Sequence, residues 1–352
     1  MNKTKVAVIG CGTIARSQHV PCYAKNPAVE IKYLCDIIPE RAEALAEQFH
    51  VPHTVVDFRD ILSDQEVEAI SVCTPNDTHA PIAIACLDAG KNVLCEKPAS
   101  VNLELVKTMK AAADRNGKIL NIGVCNRFNT SVNKIKDMIE AGELGDVYHI
   151  YCSFRAHRSI PGLGGPFTTK AHSGGGVLID WGVHFLDLIF YSIGLPKVLT
   201  VSGEIHSQLG KDMPNYSFID MWAGPPDYNG TYDVEDFVTG LVRTAGPTIT
   251  LNGAWAQNIG ETAMFVEFLG DKAGIKLDYF GSFKVYTAHK GVLSEIIPSY
   301  HKADMFYDEL DSFVKSANEN VKNRGNIDQV MITSEVMEAL YKSAELGKEV
   351  SL

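Results

Sequence analysis

Short apolar runs alternate with amphipathic stretches through the first third of the chain. The runs at 5–9, 30–36, 53–56, 68–73, 92–95 and 119–123 are bounded by turn residues and read as buried strands. Helical patterns beginning near Ile14, Pro39, Asp57, Thr78 and Asn102 lie between them. Strand and helix in strict alternation predict an α/β domain over 1–124, a parallel sheet with right-handed crossovers. After Val124 the pattern changes. A helix is expected from Ser131 to Ala141, a long strand near 146–157, a Gly/Pro/His loop at 158–175 and a helix over 176–193. β-like runs follow at 197–207, 234–244, 247–257, 262–270 and 274–287, and two helical patterns near 304–322 and 328–346 close the chain. Residues 125–352 therefore predict a C-terminal α+β domain with a large, mostly antiparallel open sheet. The stretch 207–234 has no period and is expected to be a loop bordering the site.

The first strand passes directly into Gly10-Cys11-Gly12-Thr13-Ile14-Ala15. Gly10 permits a sharp turn, Gly12 lets bare backbone approach a pyrophosphate, and small Ala15 lets the helix pack closely with its N-terminal N–H groups facing the anion. Asp36 stands about 20 residues on, at the end of the next apolar run, where an acid accepts hydrogen bonds from an adenosine ribose diol. Strand, glycine turn, helix and acid predict a Rossmann dinucleotide-binding domain. They favour NAD over NADP, whose 2′-phosphate would meet the Asp36 carboxylate. Thr13, Ile14, Ile37 and Arg41 flank these groups, and Arg41 could stack near the adenine or reach a phosphate. Ligands of such sheets lie outside the carboxyl ends of the strands, so Thr74-Pro75-Asn76 and Glu96-Lys97-Pro98 are expected at the same edge.

Composition narrows the partners. With 352 residues, 45% hydrophobic and 21% charged, the chain has room for two domains. The net charge of −11 without a basic cluster argues against nucleic acid and anionic membranes. No apolar run is long enough to span a bilayer, and the first strand starts at once, so a cytoplasmic location is expected. The eight cysteines form no C-x-x-C pair and no zinc spacing, so neither disulfides nor a metal is expected; Cys35, Cys73 and Cys95, each at a strand end, are expected to be small buried thiols. An uncovered face of the C-terminal sheet predicts a homo-oligomer, a dimer or tetramer.

The candidate chemistry lies in two segments. Lys97 follows a strand and precedes Pro98, which restricts the backbone and could carry a cis bond; its ammonium can hold a substrate hydroxyl. In Gly174-Gly175-Gly176-Val-Leu-Ile-Asp180-Trp-Gly-Val-His184-Phe-Leu-Asp187 the polar residues stand at i, i+4 and i+7, on one face of a helix. A histidine flanked by two carboxylates behind three glycines reads as a general base with orienting acids. Arg155, His157, Arg158 and Lys170 are candidate contacts to substrate hydroxyls.

These motifs, with Cys73-Thr-Pro-Asn-Asp-Thr-His79 in the same order, resemble the glucose–fructose oxidoreductase, inositol dehydrogenase and MocA family along the full length of the chain. The resemblance implies an NAD(P)-dependent oxidation of a ring hydroxyl by Lys97, Asp180 and His184. It also implies cofactor contacts from Pro75, Asn76 and His79, with Asn126-Arg127-Phe128 near the nicotinamide; Arg127 could otherwise be a surface cation. Retention of histidine at 184 favours the dehydrogenase branch, acting on a sugar, glycoside or cyclitol. A closed-cycle sugar–sugar oxidoreductase with tightly held NAD(H) and a non-catalytic nucleotide sensor remain as alternatives.

Overall fold

The computed structural model describes residues 3–279 and 281–352. The chain divides into two compact units. The first runs to Phe128 and takes back Ala303–Met331; the second holds Asn129–Lys302 and Ile332–Leu352. The boundary expected after residue 124 thus falls four residues later, and the C-terminal segment is shared, which a contiguous reading of the chain does not anticipate.

In the first unit, strands β1 (Thr4–Ile9), β2 (Val29–Cys35), β3 (His53–Val55), β4 (Ala69–Val72), β5 (Asn92–Glu96) and β6 (Leu120–Gly123) form one parallel sheet in the order β3-β2-β1-β4-β5-β6. A π-helical turn, Ala15–His19, runs into α1 (Val20–Lys25); α2 (Pro39–Phe49), α3 (Arg59–Leu62), α4 (Asn76–Asp88) and α5 (Leu103–Asn116) make the other crossovers. Alternation along β1 divides the core. Ala7 and Ile9 face the α4 and α5 side, with Ala80, Ala83, Val106 and Met109. Val6 and Val8 face Val20, Tyr23 and Leu45. The strand order reverses between β1 and β4, the switch point where ligands of doubly wound sheets bind.

The second unit opens with α6 (Thr130–Glu140) and β7 (Val147–Arg155), followed by the short α7 (Lys170–Ser173), a π-helical turn Leu178–Gly182 and α8 (Val183–Ser192). Strands β8 (Val198–His206), β9 (Phe237–Thr244), β10 (Thr248–Ala254), β11 (Ala263–Gly270), β12 (Ala273–Asp278), β13 (Phe283–His289), β14 (Val292–Ile296) and β15 (Val350–Ser351) join β7 in a sheet ordered β14-β13-β12-β11-β7-β10-β9-β8-β15. Among the described residues of this sheet, only β7 and β10 pair in parallel. The single run expected over 274–287 is a hairpin, β12 and β13. β14 carries no buried residue to give it a period, so the sequence does not reveal it. One sheet face, with Ile150, Cys152, Phe154, Leu251 and Phe268, packs on α8 through Phe185, Leu188 and Ile189. On the other, Tyr151, Ser153, Arg155, Thr239, Asn252 and Glu267 line a shallow cavity of about 470 Å³.

The chain then enters α9 (Met305–Glu319), whose Leu310, Phe313 and Val314 pack in the Val6/Val8 core of the first unit, and α10 (Ile327–Leu346), which begins in the first unit and ends in the second. Asp304 caps α9 through the N–H groups of Phe306 and Tyr307. No described helix is long and apolar enough to cross a membrane. All eight cysteines are buried free thiols.

Candidate active site

The nucleotide half is built at the carboxyl ends of β1, β2, β4 and β5. Gly10 has φ +91°, and a Cβ there would lie 2.5 Å from the Cys73 carbonyl oxygen, so no other residue makes this turn without displacing β4. A Cβ on Gly12 would meet no protein atom within 4 Å, which leaves its backbone open to a ligand. Thr13 and Ile14 follow at the helix entry, and Ala15 is buried against the sheet. The Asp36 carboxylate is fixed by two backbone donors: the Cys11 N–H reaches Oδ2 at 2.8 Å and the Ile38 N–H reaches Oδ1 at 2.8 Å. Each oxygen keeps acceptor capacity for a ribose hydroxyl. Ile37, 84% exposed, and Arg41, on the exposed side of α2, stand beside it. Burial pushes the Cys11 thiol up to about 12, so it stays protonated in this turn. Open backbone at Gly12 and an aimed acid at Asp36 fit a dinucleotide.

After β4, Thr74 and Asn76 are half-buried and Pro75 is exposed at the start of α4. His79 is held between two loops at this edge. Its Nδ1 lies 2.8 Å from the Pro98 carbonyl and its Nε2 2.8 Å from the Thr74 carbonyl, with the residue 1% exposed. Both ring nitrogens face backbone carbonyls, so His79 braces the Thr74 and Pro98 loops. Arg127 is not a surface cation. It is fully buried, donating to the Arg324 carbonyl at 2.7 Å, to the Gln329 Oε1 at 3.2 Å and to the Gln329 carbonyl at 3.1 Å. It ties the turn after β6, where Asn126 is also buried, to the returning segment before α10.

Lys97 is half-buried and joined to Pro98 by a cis peptide bond. Beneath it, Glu96 accepts the His19 Nε2–H at 2.9 Å and the Lys97 N–H at 3.1 Å. The carboxylate of Glu96 is therefore engaged by protein groups.

The candidate acid–base residues Asp180, His184 and Asp187 lie on the second unit. Asp180 sits in the π-helical turn Leu178–Gly182 and accepts the Trp255 indole N–H at 3.2 Å; His184 follows on the first turn of α8, half-buried. Asp187 is buried and accepts the Thr333 hydroxyl at 3.2 Å. The turn between Asp180 and His184 is wider than the regular helix the sequence spacing predicts, and π turns of this kind recur at functional sites. The two carboxylates are thus anchored from different elements, Trp255 just after β10 and Thr333 on α10. Phe185 stacks on Phe154 and Tyr279, at 5.1 and 4.3 Å between ring centroids, which fixes α8 on the sheet.

The loop cations separate. Lys170 lies beside the acid–base segment, its Nζ 6.0 Å from the centroid of the Tyr341 ring. His157 is exposed with Nδ1 3.0 Å from the Gln257 carbonyl, and Arg158 is pinned to that carbonyl at 2.9 Å and to Asn258 at 2.7 Å. Arg155 is a correction: its Nε donates to Ser153 at 3.1 Å on the sheet face turned away from α8, because β7 alternates and Phe154 takes the α8 side. It is removed from the substrate contacts. The 207–234 stretch is a loop, as its composition predicts. It is moored by Asp236, which accepts the N–H groups of Gln208, Leu209 and Gly210.

Sequence reasoning passed over His19, Glu235, Trp255 and Tyr341. The triple glycine was the available signal. Its close approach is to Glu235 and Tyr341, since a Cβ on Gly176 would lie 1.9 Å from the Glu235 carbonyl oxygen and one on Gly175 2.1 Å from the Tyr341 hydroxyl. No group of His, Cys, Asp and Glu among the described residues is arranged to hold a metal ion.

Comparison with known proteins agrees with this architecture. Residues 4–124 match the model of the GFO/IDH/MocA oxidoreductase family, NAD-binding Rossmann fold, and residues 132–276 match the GFO/IDH/MocA C-terminal domain. The chain is 30% identical over 351 residues to D-glucoside 3-dehydrogenase of Escherichia coli, covering 99% of this chain and 97% of that protein. It is 29% identical over 198 residues to scyllo-inositol 2-dehydrogenase (NADP(+)) of Bacillus subtilis, covering 56% and 54% of the two chains. In fold it is similar to levoglucosan dehydrogenase solved with NADH and levoglucosan, with TM-score 0.86, 20% identity and 99% of each chain covered. With both domains matched and a full-length relative at this identity, the chain belongs to the GFO/IDH/MocA family and is an NAD-binding oxidoreductase.

Proposed function

We propose that the protein oxidises a ring secondary hydroxyl of a neutral sugar, glycoside or cyclitol to a ketone, with C3 of a pyranoside the first choice of carbon. The observation that carries this reading is the likeness to D-glucoside 3-dehydrogenase along 99% of the chain. The glycine turn and Asp36 would hold NAD, which when bound supplies the two-electron acceptor. His184 takes the hydroxyl proton, Lys97 stabilises the negative charge developing on the oxygen, and Asp180, held by Trp255, orients the imidazole. Asp36 supports NAD over NADP by charge, although the family includes an NADP-named relative. Lys170 and His157 are the remaining candidates for substrate hydroxyls. Eight free thiols suit a reducing cytoplasm.

The test is a screen of hexoses, methyl glycosides and cyclitols with NAD, with the oxidised carbon assigned by NMR of the product. Turnover of neutral pyranosides at a ring carbon supports the reading. Turnover confined to phosphorylated or carboxylated sugars would sink it.

A further inference from the structure

Three backbone donors at the entry of the helical segment that carries Asp180 and His184 converge on one residue far away in sequence. The Gly176 N–H reaches Glu235 Oε2 at 2.9 Å, the Leu178 N–H reaches Oε1 at 3.0 Å, and the Val177 N–H reaches the Glu235 backbone carbonyl at 3.2 Å. The first N–H groups of a helix have no acceptor within it, and here a single glutamate supplies all three. The Tyr341 hydroxyl, from α10, adds a fourth hydrogen bond to Oε1 at 2.8 Å.

The carboxylate is buried and its side-chain partners are uncharged donors. Burial pushes Glu235 above the usual carboxylate range, and the hydrogen bonds from Gly176, Leu178 and Tyr341 pull it back. A negative group at this end of the helical segment is also favoured by the helix dipole. The glycines complete the fit. Side chains at 175 and 176 would occupy the space of the Tyr341 hydroxyl and the Glu235 backbone, so this entry forms only around that pair.

We infer that Glu235 is a positioning residue: by fixing the amides of Gly176, Val177 and Leu178 it sets where the π-helical turn begins, and with it the placement of Asp180 and His184. The inference rests on the reading of His184 as the base. Asp180 lies two residues beyond the Leu178 amide, so a slip at the entry is passed directly to it. Placement errors of about 1 Å in reacting groups can cost about 10²-fold in rate.

The experiment uses the full-length protein with NAD and whichever of methyl β-D-glucoside, D-glucose and myo-inositol turns over fastest. Glu235→Gln keeps the shape but turns an NH₂ donor toward one of the amides. Its kcat should fall about 10- to 100-fold while KM and the NAD Kd stay within about threefold. Amide exchange over 176–187, read without turnover, should quicken. In a His184→Ala background the same substitution should cost less than about threefold more, because both act on one proton transfer. Wild-type kcat in Glu235→Gln overturns the inference, and so does a full penalty that persists in the His184→Ala background. Normal turnover by His184→Ala sinks the base assignment, whereas an inactive His184→Ala beside a fully active Glu235→Gln sinks the positioning role alone. Should Glu235→Gln not fold, Tyr341→Phe removes one donor and should lower kcat about threefold to tenfold, and an unchanged kcat there overturns the inference.

Discussion

His19 Nε2 lies 2.9 Å from Glu96 Oε1, and both residues are buried beneath the loop that carries Lys97. Gly123 makes room for the pair, since a Cβ there would stand 2.8 Å from the same oxygen. Burial alone would raise the Glu96 carboxyl, but the hydrogen bond and charge of His19, with Lys97, hold it below the usual range. A carboxyl whose folded value is depressed contributes stability above its unfolded value, about 4.3, and loses that contribution as pH falls from there toward the folded value. Glu96→Gln should therefore cost about 1–3 kcal/mol at pH 7, with the gap to wild type closing below about pH 4. Urea unfolding at the two pH values checks this, and equal stabilities at pH 7 would contradict it.

Cofactor choice follows from Asp36, whose carboxylate the Cys11 and Ile38 amides hold in one orientation. Like charge against a 2′-phosphate should disfavour NADP by about 1–3 kcal/mol, roughly tenfold or more in kcat/KM. Asp36→Ser should narrow that ratio by weakening NAD and admitting NADP. Equal efficiency of the wild type with the two cofactors would show the reading of Asp36 to be mistaken.

For catalysis, His184→Ala should lower kcat about 10²–10⁴-fold, and Lys97→Met should cost on a similar scale, with little change in NAD binding. The double variant should fall short of the product of the singles. Oxidation should slow toward acid pH, because only a neutral imidazole accepts the proton, and His184→Ala should flatten that limb. A folded His184→Ala with near-normal kcat would return the histidine to the core.

Trp255 donates the indole hydrogen bond to Asp180. Trp255→Phe keeps most of the packing volume and removes that donor, so kcat should drop about threefold to tenfold, the value of a buried hydrogen bond of about 1 kcal/mol. An Asp180→Asn background should absorb most of the loss. Additive losses would mean that the indole serves the core and not the carboxylate.

The outer face of the nine-stranded sheet, with Tyr151 48% exposed beside the Arg155 cavity, is expected to be covered by a second copy. Light scattering at micromolar concentration should give a dimer or tetramer, and Tyr151→Glu should shift it toward monomer. A monomeric wild type would contradict this.

The sequence by itself determined what is local. Short apolar runs bounded by turn residues placed all six strands of the first sheet within about two residues, because a strand buried on both faces must be apolar throughout. The Gly10 turn and the Asp36 strand end were legible for the same reason: a positive φ and an acid at a strand terminus are requirements of the chain itself. Tertiary structure decided what depends on distant segments. Whether Arg155 faces α8 depends on which side of β7 the core takes, which its own charge does not reveal. His79 and Arg127 were polar residues in motif positions, yet packing turned both inward onto backbone carbonyls. The three glycines at 174–176 announced a close approach, but only the fold made Glu235, about 60 residues on, and Tyr341, on α10, the groups approached. Hydrogen bonds between residues so far apart leave no periodic trace, since each partner satisfies its own local rules and the pairing exists only after the sheet and helices close around it.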